Sequence, residues 1–215
     1  MSIFARRRGP APLRIPEPPD LARRLLSGDE ALFEELVTRL HPSLRRLAAA
    51  IVGNAASADE VAQETWKAVL QALPGFGGRS TFRTWVHRVC VNLALNRAGM
   101  DLRSPLLDGD GRDLETLEDC GGSHAPPGPW VEETPESLLL RRELMETLRR
   151  AVDALPTGQR AVIVLRDVDG FTADEACEIL GLTQVNQRVL LHRGRQGVRR
   201  RCQHLHRAKP TRHAA

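Results

Sequence analysis

Apolar residues recur every three or four positions in two separate blocks of the chain, the spacing of amphipathic helices. The first block runs from Leu21 to about Gly99, and the second from Ser137 to about Leu205. Residues 101–136 lose this period and are rich in Asp, Gly and Pro. The pattern predicts an all-α protein with two small helical domains, residues 21–100 and 137–205, joined by a flexible linker. Residues 1–20, with five prolines and an Arg cluster, are predicted to be a disordered extension. Residues 206–215 are predicted to form a basic tail.

The charge is distributed unevenly along the chain. The formal net charge is +4, and no Asp or Glu occurs after Gln187, where basic residues are dense. This balance suits a nucleic-acid partner. Because no apolar run approaches the ~20 residues of a membrane span and Arg6–Arg8 lack a following apolar segment, we expect a cytoplasmic protein.

The four cysteines form no C-x-x-C pair, so neither a zinc knuckle nor a thioredoxin-type motif is indicated. Cys90 and Cys177 fall on the apolar faces of predicted helices and are expected to be reduced core thiols. Cys202 lies near His204 and His206, but a frayed tail is the more common reading of such a cluster than a metal site. We therefore expect no metal and no cofactor.

The first block contains a helix with two distinct sides, predicted to begin at a capping box formed by Ser57 and Glu60 and to end near Leu73. Its apolar side is predicted to pack inward. The other side is polar and is either ordinary solvated surface, which the spacing alone favours, or a docking face. The polar positions are Glu60, Gln63, Glu64, Lys67 and Gln71.

A Pro-Gly-rich break at residues 74–78 leads into a second helix. This helix is predicted to bury Phe82, Trp85, Val86, Val89 and Leu93, and to expose Thr84, His87, Arg88 and Asn92. Aromatic and basic groups beside a glycine-rich loop suit single-stranded DNA, because aromatic rings stack on unpaired bases and Arg binds phosphate. The competing interpretation places Phe82 and Trp85 in the core.

The second block carries the pattern of a helix-turn-helix. Thr172 and Glu175 form a predicted capping box, Gly181 supplies a left-handed turn, and Thr183 caps the next helix. One side of that last helix is predicted to pack, and the opposite arc carries groups that can bond guanine and adenine in a major groove. The arc comprises Asn186, Arg188, His192, Arg193, Gln196 and Arg199, with Arg195, Arg200 and Arg201 placed for phosphates.

Two stretches of this sequence resemble sigma factors of the extracytoplasmic-function (ECF) group. Ala58–Trp66, Phe82–Val89 and Asn92 are similar to their region two. A second set of segments is similar to their region four: Leu155-Pro156, Gln159-Arg160, Leu165–Asp167, Phe171-Thr172, Glu175-Ala176 and Asn186–Arg195. The resemblance spans roughly residues 25–100 and 137–203, and the order of the two parts also fits.

The resemblance implies a role for each surface, the core polymerase and promoter DNA as partners, and commonly an anti-sigma factor as an inhibitor. Polymerase docking is implied for Asp59, Glu60, Gln63 and Glu64. Binding of the minus-ten element is implied for Phe76, Arg79, Ser80, Thr81, Phe82, Arg88 and Asn92. Binding of the minus-thirty-five element is implied for Asn186, Arg188, His192, Arg193, Arg195 and Arg199.

The sequence departs from the family pattern at the start of the recognition helix. Val185-Asn186-Gln187 stands where Gly-Thr-Val is frequent, and Gln187 replaces an apolar residue on the packed side. Two other functions compete with the sigma hypothesis. A stand-alone helix-turn-helix regulator leaves the acidic helix and the aromatic loop unexplained. A small helical enzyme lacks any nucleophile and base at a recognisable spacing, so no catalytic residue is predicted.

Overall fold

The computed structural model describes residues 20–99 and 135–208, and within these ranges every regular element is helical. The all-α prediction is therefore confirmed. The predicted extension (except for Asp20), the linker up to residue 134 and the last seven residues lie outside the described residues. No helix of the described ranges is both long and apolar enough to cross a bilayer.

The first domain consists of four helices that bury one continuous set of leucines and valines. The helices are α1 (Asp20–Leu26), α2 (Glu30–Val52), α3 (Ala55–Ala72) and α4 (Phe82–Ala98), with a 3-10 turn at Leu73–Gly75. Helices α2, α3 and α4 pack against one another pairwise. The side chains of Leu36, Leu44, Leu47, Val61 and Val86 are fully buried between them, as the helical period predicts.

Helix α3 begins earlier than the sequence predicts, and the capping box expected at Ser57 is wrong. The N-cap is Asn54, whose side-chain oxygen accepts a hydrogen bond from the backbone N–H of Ser57 at 2.8 Å. Helix α2 ends at Gly53 in the left-handed conformation, with φ of 78°. Because the chain reverses at Gly53, the next residue is already placed to cap, and Asn is as good an N-cap as Ser.

The second domain contains the other four helices, α5 (Pro135–Asp153), α6 (Thr157–Ile163), α7 (Ala173–Leu180) and α8 (Gln184–Ala208). Helix α6 continues into a π-helical turn at Val164–Val168. Helix α8 packs on α5 and α6 around Leu148, Leu155, Ile163 and Val198. Gly194 permits the close approach, because a Cβ there would lie 2.9 Å from Cγ1 of Ile163.

The helix-turn-helix is formed as predicted. Thr172 and Glu175 make a complete capping box at the start of α7. Gly181 ends that helix with φ of 65°, a conformation that residues with a side chain rarely adopt. The hydroxyl of Thr183 accepts a hydrogen bond from the backbone N–H of Asn186 at 3.2 Å and so caps α8.

The two domains lie directly against each other. Helix α6 packs on α2, and α7 packs on α4, so a single apolar cluster includes residues of both domains. The residue pattern did not predict this contact. The contact with α7 buries part of the surface of α4, the helix that carries part of the candidate site.

Candidate functional site

The acidic stripe, defined as Asp59, Glu60, Gln63 and Glu64 on α3, lies on the surface of the first domain. Glu60, Gln63 and Glu64 are exposed and Asp59 is half-buried. The opposite side of the helix is packed, with Val61, Ala62 and Thr65 fully buried. The structure thus places all four predicted residues together on one accessible face.

Two arginines that the sequence reasoning missed already pair with the stripe. Arg97 of α4 bonds both Glu60 and Glu64, the latter at 2.9 Å, and Arg45 of α2 bonds Asp59. The hydrogen bonds that Arg97 donates to Glu60 and Arg45 donates to Asp59 raise the pKa values of the two arginines. Because these ion pairs are solvent-exposed, each contributes little stability. A partner with its own basic groups could displace the two arginines at low cost.

Three aromatic rings meet where the loop after α3 enters α4. The ring centroid of Phe76 lies 5.8 Å from that of Phe82 and 4.8 Å from that of Trp85. Phe82 is only 2% exposed, whereas Phe76 and Trp85 are partly exposed. Phe82 therefore acts as a core residue here, whereas Phe76 of the loop and Trp85 of α4 are both partly accessible to a stacked base.

The polar residues around this aromatic cluster differ in what they offer to a ligand. Arg79 in the loop is exposed, and Arg88 and Asn92 are exposed on α4, as predicted. Thr81 is exposed, but its hydroxyl caps α4 by accepting from the backbone N–H of Thr84 at 3.1 Å. Ser80 is partly buried. We refer to Phe76, Arg79, Ser80, Thr81, Arg88 and Asn92 as the loop–α4 surface.

Thr84 and His87 were predicted to be exposed, and this prediction is wrong. They are 1% and 0% exposed because α7 and the preceding turn cover them. The ring of His87 shares a 2.8 Å hydrogen bond with the hydroxyl of Ser43 and lies 2.7 Å from the backbone carbonyl of Arg83. Burial lowers the pKa of His87 to about 3. A polar pattern on one domain cannot reveal a surface that another domain covers.

Helix α8 presents a polar arc on the side opposite its packed face. Arg188 and Arg199 are exposed, and Asn186, His192 and Arg193 are partly exposed. The side-chain amide nitrogen of Gln196 lies 2.8 Å from Nε2 of His192, so these two side chains are hydrogen-bonded to each other. The arc thus combines cationic and amide groups in an arrangement that suits base edges and phosphates.

Arg195 of the predicted set is paired with a carboxylate of the same domain. Its guanidinium donates to both carboxylate oxygens of Asp167, at 3.0 and 2.6 Å. The hydrogen bond to Asp167 raises the pKa of Arg195. In this arrangement Arg195 links α8 to the π-helical turn that follows α6.

Gln187 lies on the packed side of α8, as predicted, and is 1% exposed. Its amide nitrogen is buried and finds no hydrogen-bond partner among the described residues. A buried polar group without a partner costs free energy.

We expect Gln187→Leu to raise the free energy of unfolding by about 1–2 kcal/mol, measured by urea denaturation followed by circular dichroism. The matched control is Gln203→Leu on the exposed side of α8. Equal or lower stability of Gln187→Leu than of the unmodified chain would contradict this expectation.

The family comparisons match both domains of the chain. Residues 36–99 match the family model described as Sigma-70 region 2, and residues 145–196 match the model described as Sigma-70, region 4. The ECF RNA polymerase sigma-E factors of Escherichia coli K12 and Salmonella typhimurium LT2 are each 30% identical over 186 residues, which is 86% of this chain and 94% of theirs. The RNA polymerase sigma-H factor of Pseudomonas aeruginosa is 29% identical, covering 86% of this chain and 93% of its own.

Solved structures show the same fold. CnrH, seen in complex with the cytosolic domain of CnrY, aligns with a TM-score of 0.54 and 24% identity over 88% of this chain and 97% of its own. The sigma factor RpoE of Bartonella quintana, seen with the anti-sigma factor NepR, aligns with a TM-score of 0.53 and 19% identity over 83% and 98%.

Proposed function

Because the chain belongs to the extracytoplasmic-function sigma factors, which direct RNA polymerase to promoters and initiate transcription, we propose that its domains divide this work. The acidic stripe on α3 docks on the core enzyme. The loop–α4 surface binds the melted minus-ten element, and the polar arc of α8 binds the minus-thirty-five element in the major groove. One observation supports this proposal: each of these surfaces has solvent-exposed residues and lies on a domain that matches the corresponding sigma region.

The proposed mechanism needs no chemistry from the chain itself. Two modest DNA contacts become cooperative when one tether joins them, because binding of the first raises the effective concentration of the second. A melted base recovers part of the unstacking cost when it stacks on an aromatic ring, and Phe76 offers that ring. We propose that the protein acts as a polymerase subunit without catalytic residues or a cofactor, in the cytoplasm, where the polymerase and promoters are.

We also propose that an anti-sigma factor restrains the protein. Support comes from the structurally similar RpoE of Bartonella quintana, which is seen with the anti-sigma factor NepR. A protein that occupied the acidic stripe would block docking without touching DNA.

The docking surface is tested by removing two of its carboxylates. We expect Glu60→Ala combined with Glu64→Ala to weaken association with core polymerase at least about tenfold, equivalent to about 1.4 kcal/mol, because both side chains are exposed and charged. Association is measured by fluorescence anisotropy of the labelled chain titrated with core enzyme.

The matched control is Glu34→Ala combined with Glu35→Ala, which removes two exposed carboxylates from α2 of the same domain. Undiminished association of the Glu60 and Glu64 variant would contradict the docking surface. A loss of equal size in the control would show that only net charge matters.

A further inference from the structure

Helix α8 is joined to the body of the second domain by an ion pair with two hydrogen bonds. Nε and Nη2 of Arg195 donate to Oδ2 and Oδ1 of Asp167. A guanidinium that bonds both oxygens of one carboxylate is fixed in direction as well as in distance. The side chain of Asp167 is 10% exposed, whereas that of Arg195 is 57% exposed. The nearly buried carboxylate is therefore an anchor to which α8 is attached.

The π-helical turn at Val164–Val168 gives Asp167 its direction. The backbone N–H of Asp169 donates to the carbonyl of Val164, five residues earlier, at 2.9 Å, whereas an α-helix uses the carbonyl four residues earlier. A side chain in such a turn faces a direction that a continuous α-helix would not give it. Because Val164 and Leu165 are buried, the backbone that carries Asp167 is held by the core.

Close packing sets the distance between α8 and the residues beneath it. A Cβ at Gly194 would lie 2.9 Å from Cγ1 of Ile163, and a Cβ at Gly197 would lie 2.6 Å from Cδ2 of Leu155. Apolar contact is non-directional, so it resists separation of the helices more than it resists a small rotation of α8 about its axis. The ion pair of Arg195, next to Gly194 in the sequence, adds a directional contact at this point.

The beginning of α8 is held by a second polar contact. The side-chain amide of Gln184 donates to the carboxylate of Asp174 in the first turn of α7. Gln184 and Arg195 are about 16 Å apart along the axis of α8, at about 1.5 Å per residue. Arg188 and His192 of the polar arc lie between them. The segment of α8 that faces DNA in the proposed function is therefore anchored at both ends.

Small rotations of α8 matter because hydrogen bonds to base edges tolerate little displacement. A side chain that ends about 6 Å from the helix axis moves by about 1.5 Å when the helix turns by about 15°. The donor–acceptor distance of a good hydrogen bond varies over only about 0.5 Å. Attraction between cations and the phosphate backbone is independent of sequence and is less sensitive to such a shift. Rotational freedom would therefore lower sequence selectivity more than overall affinity.

We infer that Asp167 is a positioning residue for reading of the minus-thirty-five element, and that it acts through Arg195 by fixing the rotation of α8. The inference rests on the proposed function, since it assumes that the polar arc of α8 reads that element. The guanidinium of Arg195 is then directed to Asp167 and not to a phosphate. Sequence selectivity thus depends on a carboxylate, a group that by itself repels DNA.

The inference is tested by comparing affinity with selectivity for the full chain. Fluorescence anisotropy gives the Kd for a duplex that carries the minus-thirty-five element and the Kd for a scrambled duplex. We expect Asp167→Asn to lower the ratio of the two affinities at least about fivefold, the loss of one good base contact. The affinity for the scrambled duplex should change by less than about twofold, since no cation is removed. An unchanged ratio would overturn the inference.

The matched control is Glu146→Gln. This change also removes a carboxylate of the second domain that pairs with arginine, but both of its partners lie on its own helix, α5. The ratio of the two affinities should stay the same. A loss in the control as large as that in Asp167→Asn would show that net charge is responsible, and would overturn the inference.

Two variants of Arg195 distinguish positioning from direct contact with DNA. Arg195→Lys keeps the charge but cannot bond both carboxylate oxygens in the same way, so the ratio should fall about as far as in Asp167→Asn. Combining the two changes should lower the ratio no further, because both break one pair. Losses that multiply in the combined variant would overturn the inference.

The salt dependence of binding gives an independent measurement. If Arg195 is directed to Asp167, Arg195→Gln leaves the slope of log affinity against log salt concentration unchanged. A slope smaller by about one would place the guanidinium on a phosphate and overturn the inference. Circular dichroism shows whether each variant is folded. Should the Arg195 variants fail to fold because Asp167 loses its partner in a nearly buried site, Asp167→Asn still decides the question.

The same measurements separate this inference from the proposed function. An unmodified chain that is selective, together with Asp167→Asn that is equally selective, would overturn the inference and leave the proposed function intact. An unmodified chain that binds both duplexes equally would instead overturn the proposed reading of DNA by α8.

Discussion

Replacing Arg188 or Arg193 with Ala is expected to weaken binding of the minus-thirty-five element by about 1–3 kcal/mol, or about 5–150-fold. Both residues lie on the polar arc of α8, and Arg188 is exposed. An arginine that bonds a guanine edge with two hydrogen bonds discriminates between bases, so the loss should be specific to sequence. The measurement is fluorescence anisotropy with duplexes that carry the upstream element or a scrambled version of it.

The control for this prediction is Arg149→Ala on α5, which removes an equal charge from an exposed position of the same domain. Arg149→Ala should change the affinity for the duplex with the upstream element and the affinity for the scrambled duplex by similar small factors. If neither Arg188→Ala nor Arg193→Ala alters affinity or selectivity, the assignment of α8 as the reader is wrong. If both duplexes are weakened equally, the arginines bind phosphate and not bases.

Acidification from pH 7 to pH 5 is expected to destabilise the folded chain through His87 by about 2 kcal/mol. Burial lowers the pKa of this imidazole to about 3, against an ordinary value of 6.5. The unfolded chain therefore binds a proton at pH values where the folded chain does not. The contribution of neutral His87 is fully present above pH 6.5 and is lost as the pH falls from there toward 3.

Other titratable groups around His87 require a difference measurement. The positive charges of Arg83 and Arg46 add to the lowering of the His87 pKa. The raised pKa of Asp169 acts on stability in the opposite direction, and the lowered pKa of Glu175 matters only at more acidic pH. The comparison is therefore between the unmodified chain and His87→Gln, which retains all four groups. Free energies of unfolding are measured at pH 7, 6 and 5. Parallel pH profiles would contradict a neutral buried His87.

The helices were predictable because an amphipathic helix has one apolar face, and that face must be buried. The capping box at Thr172 and the left-handed Gly181 followed from local chemistry alone, and both are formed. Asn54 shows the limit of that reasoning. Ser57 and Glu60 fit a capping motif, but the chain reversal at Gly53 had already placed another capping residue in position.

The candidate site was predictable where exposure depends on one domain only. The acidic stripe and most of the polar arc lie on the surface as expected. Phe82 was ambiguous because a ring beside a loop can stack on a base or fill the core, and it is buried. The periodicity of a helix does not distinguish these two environments.

The contact between the domains was beyond sequence reasoning. Thr84 and His87 look like solvated polar positions, but Glu175 of α7 contacts Thr84 and the ring of Phe171 lies against His87. One weak signal existed: Phe171 is a large apolar residue in the turn after Gly170 and belongs to neither neighbouring helix. Such a residue needs a partner elsewhere in the fold.

The most direct test of the account is reconstitution of transcription. The purified chain is added to sigma-free core polymerase with genomic DNA as template, and the 5′ ends of the transcripts are sequenced. We predict a defined set of start sites that share two elements upstream and that are absent without the chain. Start sites that do not change on addition of the chain, together with tight operator binding by the chain alone, would contradict the account.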